Sequence, residues 1–134
     1  MATQEMLFRW GLAETDLCRF CEEEIESLPH ILVECEVIKP IWTQIQQWLF
    51  HKTNQIFPIT KQEIIFGITN LEHPVFNAIF ILAKRYILGC MQHSEFPSLY
   101  SFTQKVKDYL NIERCISQKN YKLQIFMNRW NIFL

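Results

Sequence analysis

Within eighteen residues the chain carries the pattern Cys18-x2-Cys21-x8-His30-x4-Cys35, and no other feature limits its fold so strongly. A tetrahedral Zn2+ takes four soft or borderline ligands, and a Cys-x2-Cys turn delivers two sulfurs to one ion without strain. The second pair has to come from a returning element. Ser27 as N-cap and Pro29 near the first helical position predict a short helix there, with His30 in its first turn and Cys35 just past its end. Leu28, Ile31, Leu32 and Val33 would seat that element on a core. Two alternatives stand beside zinc. A redox Cys-x-x-Cys pair would lack the usual βαβ surroundings and leave His30 and Cys35 without a role. Unliganded buried thiols beside a core histidine are the other. On the metal reading all four positions are filled by protein, which makes the site one structural Zn2+ with no position open for catalysis.

The rest of the chain says what this site is attached to. With 134 residues, 49% of them hydrophobic and 14% aromatic, it can bury a core as one domain. Only three Gly and five Pro favour long helices over a many-stranded fold. The fold class predicted is mainly α, a small zinc knuckle packed on a helical domain of about four to five helices. Residues 1–37 would form the entry segment and knuckle, and residues 38–134 the helical domain, as one compact unit.

Helical periodicity runs through Ile38, Ile41, Trp42, Ile45, Trp48 and Leu49, with Pro40 suited to the first turn. Residues 52–59 read as a polar loop ending at Pro58. Thr60 to Glu63 form a capping box opening a short helix that stops at Gly67. Pro74 would begin a long central helix to about Gln92, and Pro97 and Ser98 another, with Phe102, Val106 and Leu110 inward and Lys105 and Lys107 outward. The final NYKLQIFMNRWNIFL fits a helix through Leu123, Phe126, Met127 and Trp130, or a strand through Tyr121, Leu123, Ile125 and Met127. Helix is the preferred reading. Met6, Leu7, Trp10 and Leu12 would be the apolar side of an entry segment, and Cys90 and Cys115 would pack in the core.

Several functions are disfavoured. Asp16 and Asp108 are the only aspartates, so a two-metal polymerase or nuclease centre lacks its clustered carboxylates. The acidic run Glu22, Glu23, Glu24 and Glu26 reads as a solvated face. No Gly-rich phosphate loop or nucleophile elbow occurs, and the prediction is a binding module, not an enzyme. The apolar run from Val75 to Met91 carries Lys84 and Arg85, which argues against a membrane partner, and the N-terminus does not resemble a secretory signal. With five cysteines, an odd count, a reducing intracellular compartment, nucleus or cytoplasm, is expected. No small-molecule substrate is expected. Net charge is −1 overall, but the eleven acidic and five basic residues of 1–75 give way to three acidic and eight basic residues in 76–134. A basic half is suited to phosphate.

The arrangement CRFC…HILVEC…W, with Trp42 seven residues beyond Cys35, resembles the C-terminal zinc-binding segment of reverse transcriptases of LINE-type, non-LTR retrotransposons. FRWGL (Phe8 to Leu12), Phe66-Gly67, the helix holding Lys84 and Arg85, and NYKLQIFMNRW (Asn120 to Trp130) extend the resemblance over roughly residues 7 to 132. One position departs from it: family members often carry Gly directly after the second Cys, and Glu22 stands there. The resemblance implies a module beyond the polymerase domain that helps hold template RNA or target DNA during target-primed reverse transcription. RNA or DNA, and the remainder of a retrotransposon polyprotein, are then the expected partners. Candidate nucleic-acid contacts are Lys84, Arg85, Lys105, Lys107, Lys119, Lys122 and Arg129, with Arg19 and Phe20 as a basic-aromatic pair in the knuckle. A solvated basic face, and Phe20 packed on the core, are the plainer readings. The competing function is a structural protein-interaction module, or a non-functional retrotransposon remnant, whose aromatics (Trp10, Trp42, Trp48, Trp130, Phe126, Phe133) form an exposed docking patch.

Overall fold

The computed structural model describes residues 2–55, 60–67 and 75–133. Each helix begins where its sequence supplies a start signal. Thr3 caps α1 (Gln4–Arg9), its hydroxyl accepting from the Met6 N–H. Pro40 sits in the first turn of α2 (Lys39–Thr53), which ends on a left-handed Asn54. The Thr60 and Glu63 side chains make the reciprocal capping box of α3 (Lys61–Phe66), and Gly67 closes it at φ 86°. Ser98 caps α5 (Leu99–Lys119), accepting from the Ser101 N–H. α2 runs on through Lys52 and Thr53, the first residues of the loop expected over 52–59; residues 56–59 of that loop and the expected helix start at Pro74 lie outside the described residues. The long helix itself, α4, runs Val75–Gln92.

The C-terminal segment is helical: α6 spans Leu123–Trp130 and a 3-10 turn covers Asn131–Phe133. The period of 3.6 prevails because Phe126 and Trp130, four residues apart, bury together, whereas Tyr121 lies in solvent at a left-handed φ of 58°. The strand alternative would have buried Tyr121.

α4 is the hub. Val75, Phe76, Ile79, Phe80, Ala83, Ile87, Cys90 and Met91 are buried, and the helix packs against α5 and against the segment that carries His30. It is long and apolar enough to cross a membrane by length and composition alone, yet these residues belong to the protein core. α5 packs in turn on α2 and α6. One buried cluster joins Cys18, Ile31, Leu32 and Cys35 to Ile38, Ile45, Phe80, Phe102 and Trp130, so the knuckle and helices share a core. Among the described residues, edge-on ring pairs brace it: Trp42 on Phe80 at 6.0 Å, Trp48 on Phe102 at 5.9 Å, and Tyr109 on Trp130 at 6.2 Å.

The structure corrects several expectations about burial. Met6, Trp10 and Leu12 are exposed, so α1 has no inward apolar side. It is held by polar contacts instead. Leu28 is also exposed, because the returning chain turns it outward before Ile31 and Leu32 enter the core. Cys90 is buried, but Cys115 faces solvent on the outer side of α5. The proposed aromatic patch does not form as one surface: Trp42, Phe126 and Trp130 are buried, Trp48 and Phe133 are half-buried against the core, and Trp10 alone of the six is fully exposed.

Candidate metal centre

The site starts as a narrow hairpin. Leu17 and Ile25 form an antiparallel bridge, the Cys18 N–H donates to the Glu24 carbonyl at 2.7 Å, and the Glu26 N–H to the Asp16 carbonyl at 2.9 Å. Between them the Cys18 carbonyl accepts from the Glu22 N–H at 2.9 Å, and the Phe20 N–H points at Cys18 Sγ at 3.4 Å. That tight turn forces Glu22 to φ 59°. It is the position where the resembling family often has Gly, and an L-residue there is strained by about 1–2 kcal/mol.

The returning element departs from the expected short helix. Ser27 does cap it, its hydroxyl accepting from the His30 N–H at 3.3 Å. Residues His30–Glu34, however, wind as a π segment, and the Cys35 N–H reaches back five residues to the His30 carbonyl at 2.9 Å. The wider turn lets His30 and Cys35 face the same point, while Ile31 and Leu32 stay in the core. The Trp42 indole N–H fixes the end of this element, donating to the Leu32 carbonyl at 2.7 Å.

The four candidate ligands converge. Their ligand atoms all lie within 4.8 Å of one another, with Cys18 Sγ 3.9 Å from Cys35 Sγ and Cys21 Sγ 3.4 Å from His30 Nε2. A tetrahedral zinc with bonds of about 2.3 Å to sulfur and about 2.0 Å to nitrogen requires ligand separations of about 3.5–3.8 Å. The donor set suits zinc, and the Cys18–Cys35 and Cys21–His30 separations lie close to these lengths. Cys18, His30 and Cys35 are buried and Cys21 is half-buried. Burial pushes the Cys18 thiol up to about 12 and raises Cys35 as well. Burial acts the same way on Cys21, but the Glu23 and Glu24 amides and His30 outweigh it and bring that thiol to about 7. The Cys18 and Cys35 thiols, crowded in a poorly solvated pocket, are unfavourable as anions unless a cation joins them, which is the electrostatic case for a metal.

Residues 1–42 match the family model for zinc-binding in reverse transcriptase. The matched span includes every ligand and ends at Trp42, whose indole braces the ligand-bearing turn. No curated protein and no solved structure matches the chain. Over residues 1–42 the chain is similar to the zinc-binding module of reverse transcriptases, and Cys18, Cys21, His30 and Cys35 are positioned to bind one metal ion.

The acidic run is not one solvated face. Glu22 and Glu23 point to solvent. Glu24 is largely exposed, yet its Oε2 lies 3.3 Å from His30 Nδ1; the two are close without a hydrogen-bonding angle. This leaves Nε2 toward the cysteines, with a carboxylate near the far side of the imidazole. Glu26 is fully buried. It accepts from the Gln4 N–H at 2.8 Å, the Arg19 N–H at 2.7 Å, and the Arg19 guanidinium at 2.8 Å from Nη2. Burial alone would raise its pKa; Arg19 and the two backbone N–H groups hold it below the ordinary carboxylate range. The run itself carries no sign of this anchor, since four glutamates within five residues look equivalent until the hairpin separates them.

The candidate nucleic-acid contacts divide. Arg19 is committed to Glu26 and also donates to the Ala2 carbonyl at 3.2 Å, while Phe20 packs on the core with its ring 6.3 Å from that of Phe96. Lys84 is half-buried, with Nζ 3.4 Å from the Ile65 carbonyl. Arg85, Lys105, Lys107, Lys119, Lys122 and Arg129 are exposed on or beside α4, α5 and α6.

Proposed function

We propose that the chain is a nucleic-acid-binding module of the kind associated with reverse transcriptases, holding template RNA or target DNA during target-primed reverse transcription. The zinc cluster is its structural staple, and residues 1–37 and 38–134 act as one unit. The observation that carries the reading is a pairing. The segment that matches the reverse-transcriptase zinc model shares a core with helices whose outer surface bears seven exposed basic residues, from Arg85 to Arg129 and including Arg114. Phosphate is the natural counterpart of such a surface. Because Arg19 is spent on Glu26, contact belongs to the helices and not to the knuckle tip. The module binds and does not catalyse. A zinc with four protein ligands offers no open position. A reducing intracellular compartment, nucleus or cytoplasm, suits its free thiols.

The test is binding of RNA and single-stranded DNA by the zinc-loaded protein across a salt series. Neutralising phosphates gives a log K that falls linearly with log salt, by about 0.7 per contact on single strands. Absent or salt-independent binding by folded protein ends the proposal. A second reading is favoured by one observation. Met6, Phe8, Trp10, Leu12, Leu17 and Ile25 are exposed apolar side chains along the N-terminal segment and hairpin. They support docking on the remainder of a polyprotein. Weak salt dependence together with tight binding to a polymerase domain would favour it.

A further inference from the structure

α2 and α5 bring together residues that lie fifty apart in the sequence. Trp48 and Lys52 are one turn apart on α2, and Leu99, Thr103, Val106, Lys107 and Leu110 form a stripe along α5 at helical spacing. Between them, closed by Phe133 of the 3-10 turn, is a cavity of about 410 Å³. Its volume falls within the roughly 300–1,000 Å³ of ordinary small-ligand sites. Trp48 is held from two sides, edge-on to Phe102 at 5.9 Å and 5.4 Å from Phe133, so its ring has a fixed orientation. Tyr100 stands at the mouth, 75% exposed. Lys52 and Lys107 are the charged residues of the lining, neither forms an ion pair among the described residues, and no carboxylate joins them.

An aromatic and aliphatic floor with two free ammonium groups at its edge matches a flat ring joined to an anion. We infer that this groove takes one unpaired nucleotide of a single-stranded nucleic acid, its base against Trp48 and Tyr100 and its flanking phosphates on Lys52 and Lys107. The inference rests on the nucleic-acid reading above and specifies where the strand is gripped. Lys52 belongs to the acidic half of the sequence, so charge counting along the chain passes over it; the α2–α5 contact delivers it to the basic half. Stacking does not read base identity, so the site favours single strands over duplex without strong sequence preference.

The experiment uses the full zinc-loaded chain and fluorescence anisotropy with labelled oligouridylate, oligothymidylate and a duplex of equal length. Tyr100→Ala is expected to weaken single-strand binding about tenfold or more, the loss of one stacked base. Lys52→Ala with Lys107→Ala is expected to reduce the salt slope by about 1.4, at about 0.7 per phosphate. Zinc content and melting temperature should be unchanged, since all three side chains are exposed. Wild-type protein that binds single strands while these variants keep its affinity and slope overturns the groove and leaves the broader reading standing. Equal losses on duplex also overturn it. Wild-type protein that binds no strand overturns both, and capture of an acidic peptide by the same groove in that case would assign it to a protein partner.

Discussion

Replacing Arg19 by Ala tests whether the knuckle is held by its buried ion pair as much as by metal. Glu26 is fully buried, and the substitution removes the guanidinium contacts at 2.8 Å and 3.2 Å while leaving the N–H groups of Gln4 and residue 19. Losing one partner of a buried pair costs about 3–5 kcal/mol. The Arg19 side chain is 31% exposed, and two backbone donors survive, so water and those donors recover part of this. The expected loss is about 2–3 kcal/mol, on the scale of hydrogen bonds to charged groups. For a domain of this size that lowers Tm by about 6–12 °C. Arg19→Lys should recover only part, because an ammonium cannot span both carboxylate oxygens. Thermal melts of zinc-loaded Arg19→Ala, Glu26→Gln and the double variant give the coupling energy. The sign with pH follows from the depressed Glu26 pKa. The stabilisation is complete above the ordinary carboxylate range and is lost as pH falls through the lower, folded value. A change below about 0.5 kcal/mol for Arg19→Ala, with additive double-variant data, would refute this account, since only surface pairs are that weak.

Glu22→Gly should stabilise the protein by about 1 kcal/mol, because relief of the left-handed φ of 59° exceeds the entropy glycine adds to the unfolded chain. Glu22→Ala should not, and equal melts for the two would show the turn to be unstrained. Glu24→Gln should weaken zinc binding by about tenfold, measured by competition with a chromophoric chelator, if the carboxylate beside His30 orients the ring; unchanged affinity assigns Glu24 to solvent. Trp42→Phe keeps most of the ring and leaves the Leu32 carbonyl without its 2.7 Å donor, at an expected cost of about 1–3 kcal/mol in denaturant unfolding. Loss of no more than a few tenths would mean that water replaces the indole.

What the sequence disclosed about the fold was whatever local chemistry decides. The ligand spacing, the Thr60–Glu63 box and the Ser98 cap each act within a few residues, and each is found where the pattern put it. The left-handed turn at Glu22 was visible too, as a glycine position filled by something else. The π segment was not, because a single extra residue in a turn leaves the apolar spacing of Ile31 and Leu32 looking α-helical. Tertiary electrostatics were hidden altogether. Arg19 looked like a free cation suited to phosphate, and only the hairpin, by folding Glu26 under it, shows that its charge is already matched. Leu28, Cys115 and the N-terminal apolars were misread for a related reason: hydrophobicity does not bury a side chain unless a second element covers it.

The unequal enclosure of the four ligands bears on how fast metal exchanges. Cys18, His30 and Cys35 are sealed against α4 and the core, and Cys21 is the ligand that solvent reaches. A competing chelator can approach along Cys21 alone, and then waits for the π segment to lift from α4 before the remaining bonds are accessible. Release from a loaded site would then be timed by a local opening of the protein. Its rate should level off with chelator concentration and follow the stability of the buried cluster that links the segment to Phe80 and Trp42.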